Sequence, residues 1–305
     1  RLWDRVTATR QYITGGFGST ARNEGFTQDY DLPNRTAYQE TCASIAFVFW
    51  CERLARLTGD AKYVAALKRT LYNAVAAGAN VEGDRFFYEN PLETDGTHER
   101  SEWFRCACCP PNCARAVAQL SRWVCRADGK DLYLWIPLAC AVRLPNGTVR
   151  IRSEYPWDGD ISIEGRELLG RVLLPNLPQD RDSSWTEVPG ASARLPLSIQ
   201  RIEAHPAVEA CRAQVALVRG PIVLCAEEPA DSGLVQSLAR VEPPDPNASP
   251  ASDPPTWMAR SWHRKAASLY VPDSEPLIPS EVRLVPYGLW GKRGGTAIRV
   301  WLPRP

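Results

Sequence analysis

Residues 105–115 read RCACCPPNCAR, with Cys106, Cys108 and Cys109 inside four positions and two prolines directly after them. Such a stretch can aim two or three sulfurs at one point, and zinc accepts thiolates together with a carboxylate. Adjacent cysteines are poor disulfide partners for each other. Pro110 disfavours helix at Cys109, so the cysteines are expected in non-helical backbone. Pro111 opens a helix at a position where the missing N–H costs little, and the helix N-terminus stabilises negative charge. Both effects favour thiolate over thiol. The competing reading is a set of inert, buried thiols, but three in four positions before a helix start point to metal binding or reactive sulfur.

Sulfurs from this stretch alone leave a metal site incomplete. The obvious further donors are Glu40 and Cys42 in the Glu-Thr-Cys element at 40–42. Residues two apart on an ideal helix point to nearly opposite sides, so both reach one ion only if the segment is a helix start or is distorted. Cys51 competes as a donor, but it lies in an apolar face and is expected to pack.

The elements that must position these groups fall into two halves. Residues 1–127 read as helical and 128–305 as β-rich. The segment at 36–59 lacks proline, is apolar on most faces and ends at Gly59, as a helix packed among helices does. Asp60 is the expected N-cap of a second helix, with Tyr63, Val64, Leu67, Leu71 and Val75 at helical spacing and Gly78 at its stop. A third helix is expected from Pro111 to about Cys125, with Ala114, Val117, Ala118 and Val124 inward. From residue 131 the pattern alternates and turns at Pro145-Asn146-Gly147. Residues 213–228 and 296–303 also read as strands, and 242–257 as a proline-rich loop. A helical array followed by an all-β module is the coarse architecture.

Composition narrows the partners. Of the 305 residues 44% are hydrophobic, and 36 Lys plus Arg balance 35 Asp plus Glu for a net charge of +1, with no basic stripe for nucleic acid or an anionic surface. No run of 18 or more apolar residues predicts a membrane helix. Eleven Trp and ten Tyr include faces suited to sugar rings, although most such residues are core. The ten cysteines, seven of them between positions 42 and 125, fit free thiols in a reducing, cytoplasmic setting better than a disulfide framework. The opening reads as entry partway through a helical element, so an upstream part is expected.

Several motifs together resemble glycoside hydrolase family 127, whose founding activity is β-L-arabinofuranosidase. They are TGGFGS (14–19), NEGF (23–26), YDLPNRTAYQETCAS (30–44), RFFYENPLE (85–93) and WFRCACCPPNCAR (103–115). EYPWDGDISI, IEAHPAV, ALVRGPIVLCAEE and LVPYGLWGKRGG resemble the family's β-sandwich part. The resemblance implies a partial (α/α)6 barrel over 1–127, followed over 128–305 by a jelly-roll-like β-sandwich region with strands missing around 165–190. It implies a zinc ion held by Glu40, Cys42, Cys108 and Cys109, with Cys106 beside the site. It implies Cys108 as nucleophile, Glu24 as acid/base and Tyr88 at the substrate pocket. The substrate class is an L-arabinofuranosyl-containing glycan, hydrolysed with retention of configuration. Two departures stand out. Gly25 occupies a position where alanine is usual, and Cys113 one that is usually aliphatic. The chain's histidines, His98, His205 and His263, lie outside helical pocket motifs, with His98 expected in solvent and His205 in a structural role. The alternatives are a noncatalytic zinc-stapled fragment or carbohydrate-binding module, and the same fold acting on another plant-glycan furanoside. Self-association into a homo-oligomer stays open.

Overall fold

The computed structural model describes residues 1–176, 184–252, 254–264, 272, 274–291 and 294–304. The chain is α+β. A helical first part leads into three sheets, and among the described residues no helix is long and apolar enough to cross a membrane.

The helical part holds α1 (Leu2–Thr9), α2 (Thr41–Thr58), α3 (Ala61–Thr70), α4 (Cys109–Ala118) and α5 (Ser121–Val124). Gly59 ends α2 in the left-handed conformation (φ +74°), which glycine adopts without a Cβ penalty. The Asp60 side chain caps α3 by accepting from the Lys62 N–H at 2.9 Å. α3 runs on through a wide turn at Leu71–Val75. Ile45, Phe47, Val48, Cys51, Ala55, Val64 and Leu67 form one core with Cys113, Ala116, Trp123 and Trp135. Cys51 is fully buried there, as expected of a packing cysteine.

The third helix departs from expectation. It starts at Cys109, with Pro110 and Pro111 in its first turn, and Cys108 already has helical backbone angles. Proline is tolerated there because first-turn N–H groups need no intrahelical partner. This earlier start sets a different phase. Cys109, Cys113 and Ala116 face inward, while Ala114, Val117 and Ala118 are exposed. The helix also breaks before α5, and the chain is a strand by Cys125.

Two four-stranded sheets follow. One orders Cys125–Asp128, Asp131–Leu134, Val172–Pro175 and Trp185–Glu187; the other orders Leu138–Leu144, Gly147–Glu154, Asp160–Glu164 and Ser192–Arg194. Leu132, Leu134, Val149, Ile151, Ile161, Ile163, Val172 and Leu174 form the core these strands share. The expected turn at 145–147 joins the hairpin of the second sheet. Of the stretch around 165–190, residues 177–183 lie outside the described ones; the flanks supply Val172–Pro175 and Trp185–Glu187.

Among the described residues the third sheet has nine strands, with Ile222–Pro229 central between Ile278–Pro286 and Thr296–Arg299. Its edge strand, Glu93–Thr94, comes from the helical part and pairs with Thr296–Arg299. On one face Tyr12, Ala37, Ala77, Phe87 and Leu92 pack against Val223, Tyr287, Trp290 and Ile298. Leu217, Leu224, Trp257, Ala259 and Leu284 form a second cluster with Val235 and Leu238. The helical part and the large sheet therefore share a core.

Candidate active site and metal centre

The sulfurs converge through two helix starts. Glu40 is the N-cap of α2, with non-helical angles (φ −53°, ψ 134°), and Cys42 lies in the first turn. The chain bends between them, which removes the obstacle that an ideal helix would pose. Cys108 is the N-cap of α4 and Cys109 its first residue. The ligand atoms of Glu40, Cys42, Cys108 and Cys109 all lie within 4.8 Å of one another.

The donor set fits zinc. Cys42 and Cys109 sulfurs are 3.4 Å apart, and those of Cys108 and Cys109 are 3.7 Å apart. Glu40 Oε1 lies 3.3 Å from Cys108 Sγ and 3.9 Å from Cys109 Sγ. Sulfurs bonded at about 2.3 Å to one tetrahedral ion sit about 3.8 Å apart, so three thiolates and a carboxylate oxygen at these spacings match a zinc shell. Cys106 is exposed and outside the four.

Three thiols and a carboxylate this close cannot all ionise without a cation. The contact with Cys109, aided by Asn112, brings the Cys42 thiol down to about 7 against its burial. Burial pushes Cys108 up to about 12, opposed by the Tyr88 hydroxyl. The contact with Cys42, together with burial, drives Cys109 further up. One thiolate forms readily, and its charge disfavours the others.

Tyr88 and Glu24 complete the cluster. The Tyr88 hydroxyl lies 3.3 Å from Cys108 Sγ and donates to Glu24 Oε1 at 3.5 Å. Glu24 is exposed, with left-handed backbone (φ +51°), at the tip of a turn pinned by the Ser19 N–H to the Gly25 carbonyl at 2.9 Å. Sulfur and carboxylate thus stand one hydroxyl apart. Phe104 meets the Tyr88 ring edge-on at 5.4 Å.

Two features were missed in the sequence. Asn112 Nδ2 donates to Cys42 Sγ at 3.2 Å, while its backbone N–H bonds the Cys108 carbonyl at 3.3 Å. Its place in the CCPPN run was the available signal. Behind the site lies a buried amide lock. Gln39 Nε2 donates to the Asn90 carbonyl at 2.7 Å, and Asn90 Nδ2 donates to the Gln39 carbonyl and to Thr41 Oγ1, both at 2.9 Å. Thr41 N–H reaches the Tyr88 carbonyl at 3.0 Å. The lock ties the strand of chain carrying Glu40 to the one carrying Tyr88. A Cβ on Gly16 would sit 2.4 Å from Gln39 Oε1, which is one reason the TGG run is glycine there.

The histidines stand elsewhere. His98, expected in solvent, is half-buried instead: it stacks on Phe87 at 4.8 Å, and its Nε2 lies 2.9 Å from the Glu89 carbonyl. His205 stacks on Tyr30 at 4.6 Å.

Two family models match the chain. Residues 1–122 match the β-L-arabinofuranosidase GH127 catalytic domain, and residues 199–303 match the glycoside hydrolase family 127 C-terminal domain. The chain is 31% identical over 368 residues to a non-reducing end β-L-arabinofuranosidase of Bifidobacterium longum subsp. longum, covering 100% of this chain and 55% of that protein. It is similar to the crystal structure of a GH127 β-L-arabinofuranosidase from Geobacillus stearothermophilus T6, with a TM-score of 0.78 at 30% identity, over 99% of this chain and 56% of that one. A solved GH127 β-arabinofuranosidase gives a TM-score of 0.78 at 29% identity, over 99% and 55% of the two chains. The chain thus spans about half the length of these relatives.

Proposed function

Since the chain belongs to glycoside hydrolase family 127, we propose that it carries the zinc and nucleophile centre of a retaining glycosidase acting on terminal β-L-arabinofuranosides. Its helical part would then be a portion of an (α/α)6 barrel over 1–127, with the β-rich region over 128–305. The observation that carries this reading is the convergence of Glu40, Cys42, Cys108 and Cys109 within 4.8 Å, with Tyr88 bridging Cys108 to Glu24. The ten unpaired cysteines support a reducing, cytoplasmic setting.

A retaining glycosidase needs a nucleophile below the anomeric carbon and an acid/base beside the leaving oxygen, with a carboxylate pair normally about 5–5.5 Å apart. Here Cys108 takes the place of one carboxylate. Glu40, Cys42, Cys108 and Cys109 would hold zinc, which when bound supplies the positive charge that keeps these sulfurs ionised. The Cys108 sulfur attacks the anomeric carbon, the C–S bond forms and the glycosidic C–O bond breaks. Glu24, protonated, gives its proton to the leaving oxygen. The same carboxylate then takes a proton from water, whose oxygen displaces the sulfur, so two inversions give retention. Tyr88 touches both partners and orients the sulfur toward the carboxylate.

The test is hydrolysis of an aryl β-L-arabinofuranoside by the protein carrying this sequence, with and without chelator, alongside metal analysis. About one zinc per chain is expected, with turnover lost in Cys108→Ser and Glu24→Gln. Turnover that survives Cys108→Ser ends the nucleophile assignment. Zinc uptake without turnover on any furanoside supports the noncatalytic zinc-stapled module instead.

A further inference from the structure

Away from the cysteine cluster, a cleft of about 490 Å³ opens where the sheet holding Asp160–Glu164 meets the large sheet. Its volume falls within the roughly 300–1,000 Å³ of small-molecule sites. It is lined by the turn at 157–159, by residues 194–198, by Arg219 at the end of the strand Gln214–Arg219, and by Asn247 of the proline-rich loop. Backbone bonds hold these segments together. The Leu195 N–H reaches the Gly159 carbonyl at 2.8 Å, and the Ile199 N–H reaches the Pro246 carbonyl at 2.7 Å. A Cβ on residue 159 would sit 2.2 Å from the Leu195 carbonyl oxygen, so glycine is required for that approach. The cleft is therefore formed before any ligand arrives.

Three of its side chains have capacity to spare. Trp157 is half-buried, packs against the cluster that holds Leu217, Leu224 and Trp257, and lines the cleft. Asp158 uses Oδ1 to accept the Asp160 N–H at 2.8 Å, and no described residue bonds its other oxygen. Arg219 is 7% exposed. Its Nη1 donates to the Pro156 carbonyl at 3.1 Å, its Nε is buried without a partner, and no described residue bonds its Nη2. Burial lowers the Arg219 pKa and the charge of Asp158 opposes this, yet the two form no ion pair. Arg194, the other cation of the cleft, is engaged by Asp160 at 3.6 Å.

These groups select the ligand. An anion that pairs with Arg219 meets the Asp158 carboxylate, and a cation that pairs with Asp158 meets the Arg219 guanidinium. A neutral polyol satisfies both, because each hydroxyl donates and accepts. An indole beside them offers an apolar face to the C–H side of a sugar ring. We infer that this cleft binds a neutral saccharide of one or two units, with Arg219 donating to one hydroxyl, Asp158 accepting from another and the Trp157 ring against the sugar. The cleft shares no residue with the cysteine cluster and does not depend on the glycosidase reading.

Nuclear magnetic resonance of the tryptophan indole N–H groups, during titration with L-arabinose, D-xylose and D-galactose, tests the inference. The Trp157 signal is identified by its loss in Trp157→Phe, and it reports on this cleft rather than on sugar bound at the cysteine cluster. It should move saturably with at least one of the three sugars, with little dependence on salt. D-galacturonate should bind more weakly than that sugar. Asp158→Asn keeps an oxygen for the Asp160 N–H but loses the charge, and should weaken binding by roughly tenfold, as should Arg219→Gln. Asp158→Asn leaves the buried core untouched, so it keeps the test decisive if Arg219→Gln fails to fold. No saturable movement with any of the three sugars, tighter binding of galacturonate than of every neutral sugar, or unchanged affinity in Asp158→Asn overturns the inference.

Discussion

Asn112→Leu isolates the hydrogen bond that Asn112 Nδ2 gives to Cys42 Sγ at 3.2 Å. The substitution leaves the backbone N–H of residue 112 free to keep its bond to the Cys108 carbonyl, and leucine favours helix, so α4 should start where it does now. What is lost is one N–H donor on a thiolate. Hydrogen bonds to charged groups contribute about 1.5–3 kcal/mol, and outer-shell partners of metal ligands typically carry 10–100-fold in affinity. Asn112 is half-buried, so water replaces part of the loss. Zinc affinity should therefore fall by about tenfold, near the lower end of that range. Asn112→Asp keeps the shape but sets a carboxylate against the sulfur, and should weaken zinc more than leucine does. Competition with a chromogenic chelator measures both. Equal affinity in wild type and Asn112→Leu, or tighter binding in Asn112→Asp than in Asn112→Leu, would refute the claim that this amide stabilises the Cys42 thiolate.

Other outcomes follow from the same geometry. Asn90→Leu strips the donor from the buried Gln39 carbonyl, while Thr41 Oγ1 keeps its bond to the Phe87 carbonyl at 2.8 Å, and the one orphaned carbonyl costs about 1–3 kcal/mol; urea denaturation should register a loss of that size, and an unchanged midpoint would remove the lock from the account. Gly16→Ala places a Cβ 2.4 Å from Gln39 Oε1 and should destabilise by about 1–3 kcal/mol by overpacking, again read by denaturant midpoint. In the metal-free chain, Cys108 is raised to about 12, so its thiolate fraction at neutral pH is small and grows with pH. Iodoacetamide labelling of Cys108, followed by peptide mass spectrometry, should climb past the ordinary thiol value of 9.0 without levelling off; a plateau at neutral pH would mean that the protein alone ionises this sulfur.

The grouping of Glu40, Cys42, Cys108 and Cys109 was legible because its parts are local. Cys108 and Cys109 are adjacent, Glu40 and Cys42 are separated by one residue, and each pair sits beside helix-start signals that the sequence displays: prolines after one, a long unbroken apolar run after the other. Gly59, Asp60 and the turn at 145–147 were legible for the same reason, since a left-handed φ, a capping carboxylate and a hairpin each need particular residues at particular places. The phase of α4 was not. Proline at the second and third helical positions is compatible with a start at either Cys109 or Pro111, and alanines and a valine on a short helix do not say which side is inward. Burial of Cys109 and Cys113 against α2 settled that.

What the sequence hid is long-range. Nothing near Glu93–Thr94 announces a partner some two hundred residues on, yet that pairing with Thr296–Arg299 anchors one end of the segment carrying Tyr88 to the large sheet. At the other end, the Asn90 amide clasps Gln39, whose neighbour is Glu40. The Tyr88 hydroxyl therefore reaches Cys108 from a segment fastened on both sides, to the sheet and to the chain entering α2. Burying a polar side chain costs free energy that its hydrogen bonds must offset; Gln39 and Asn90 are both fully buried, and the bond each amide gives to the other's carbonyl fastens the two segments, while Asn90 Oδ1 lies without a partner. The cysteine cluster gathers donor atoms that could hold an ion, and this pair of amides keeps the Glu40 carboxylate and the Tyr88 phenol at the distance where both touch the Cys108 sulfur.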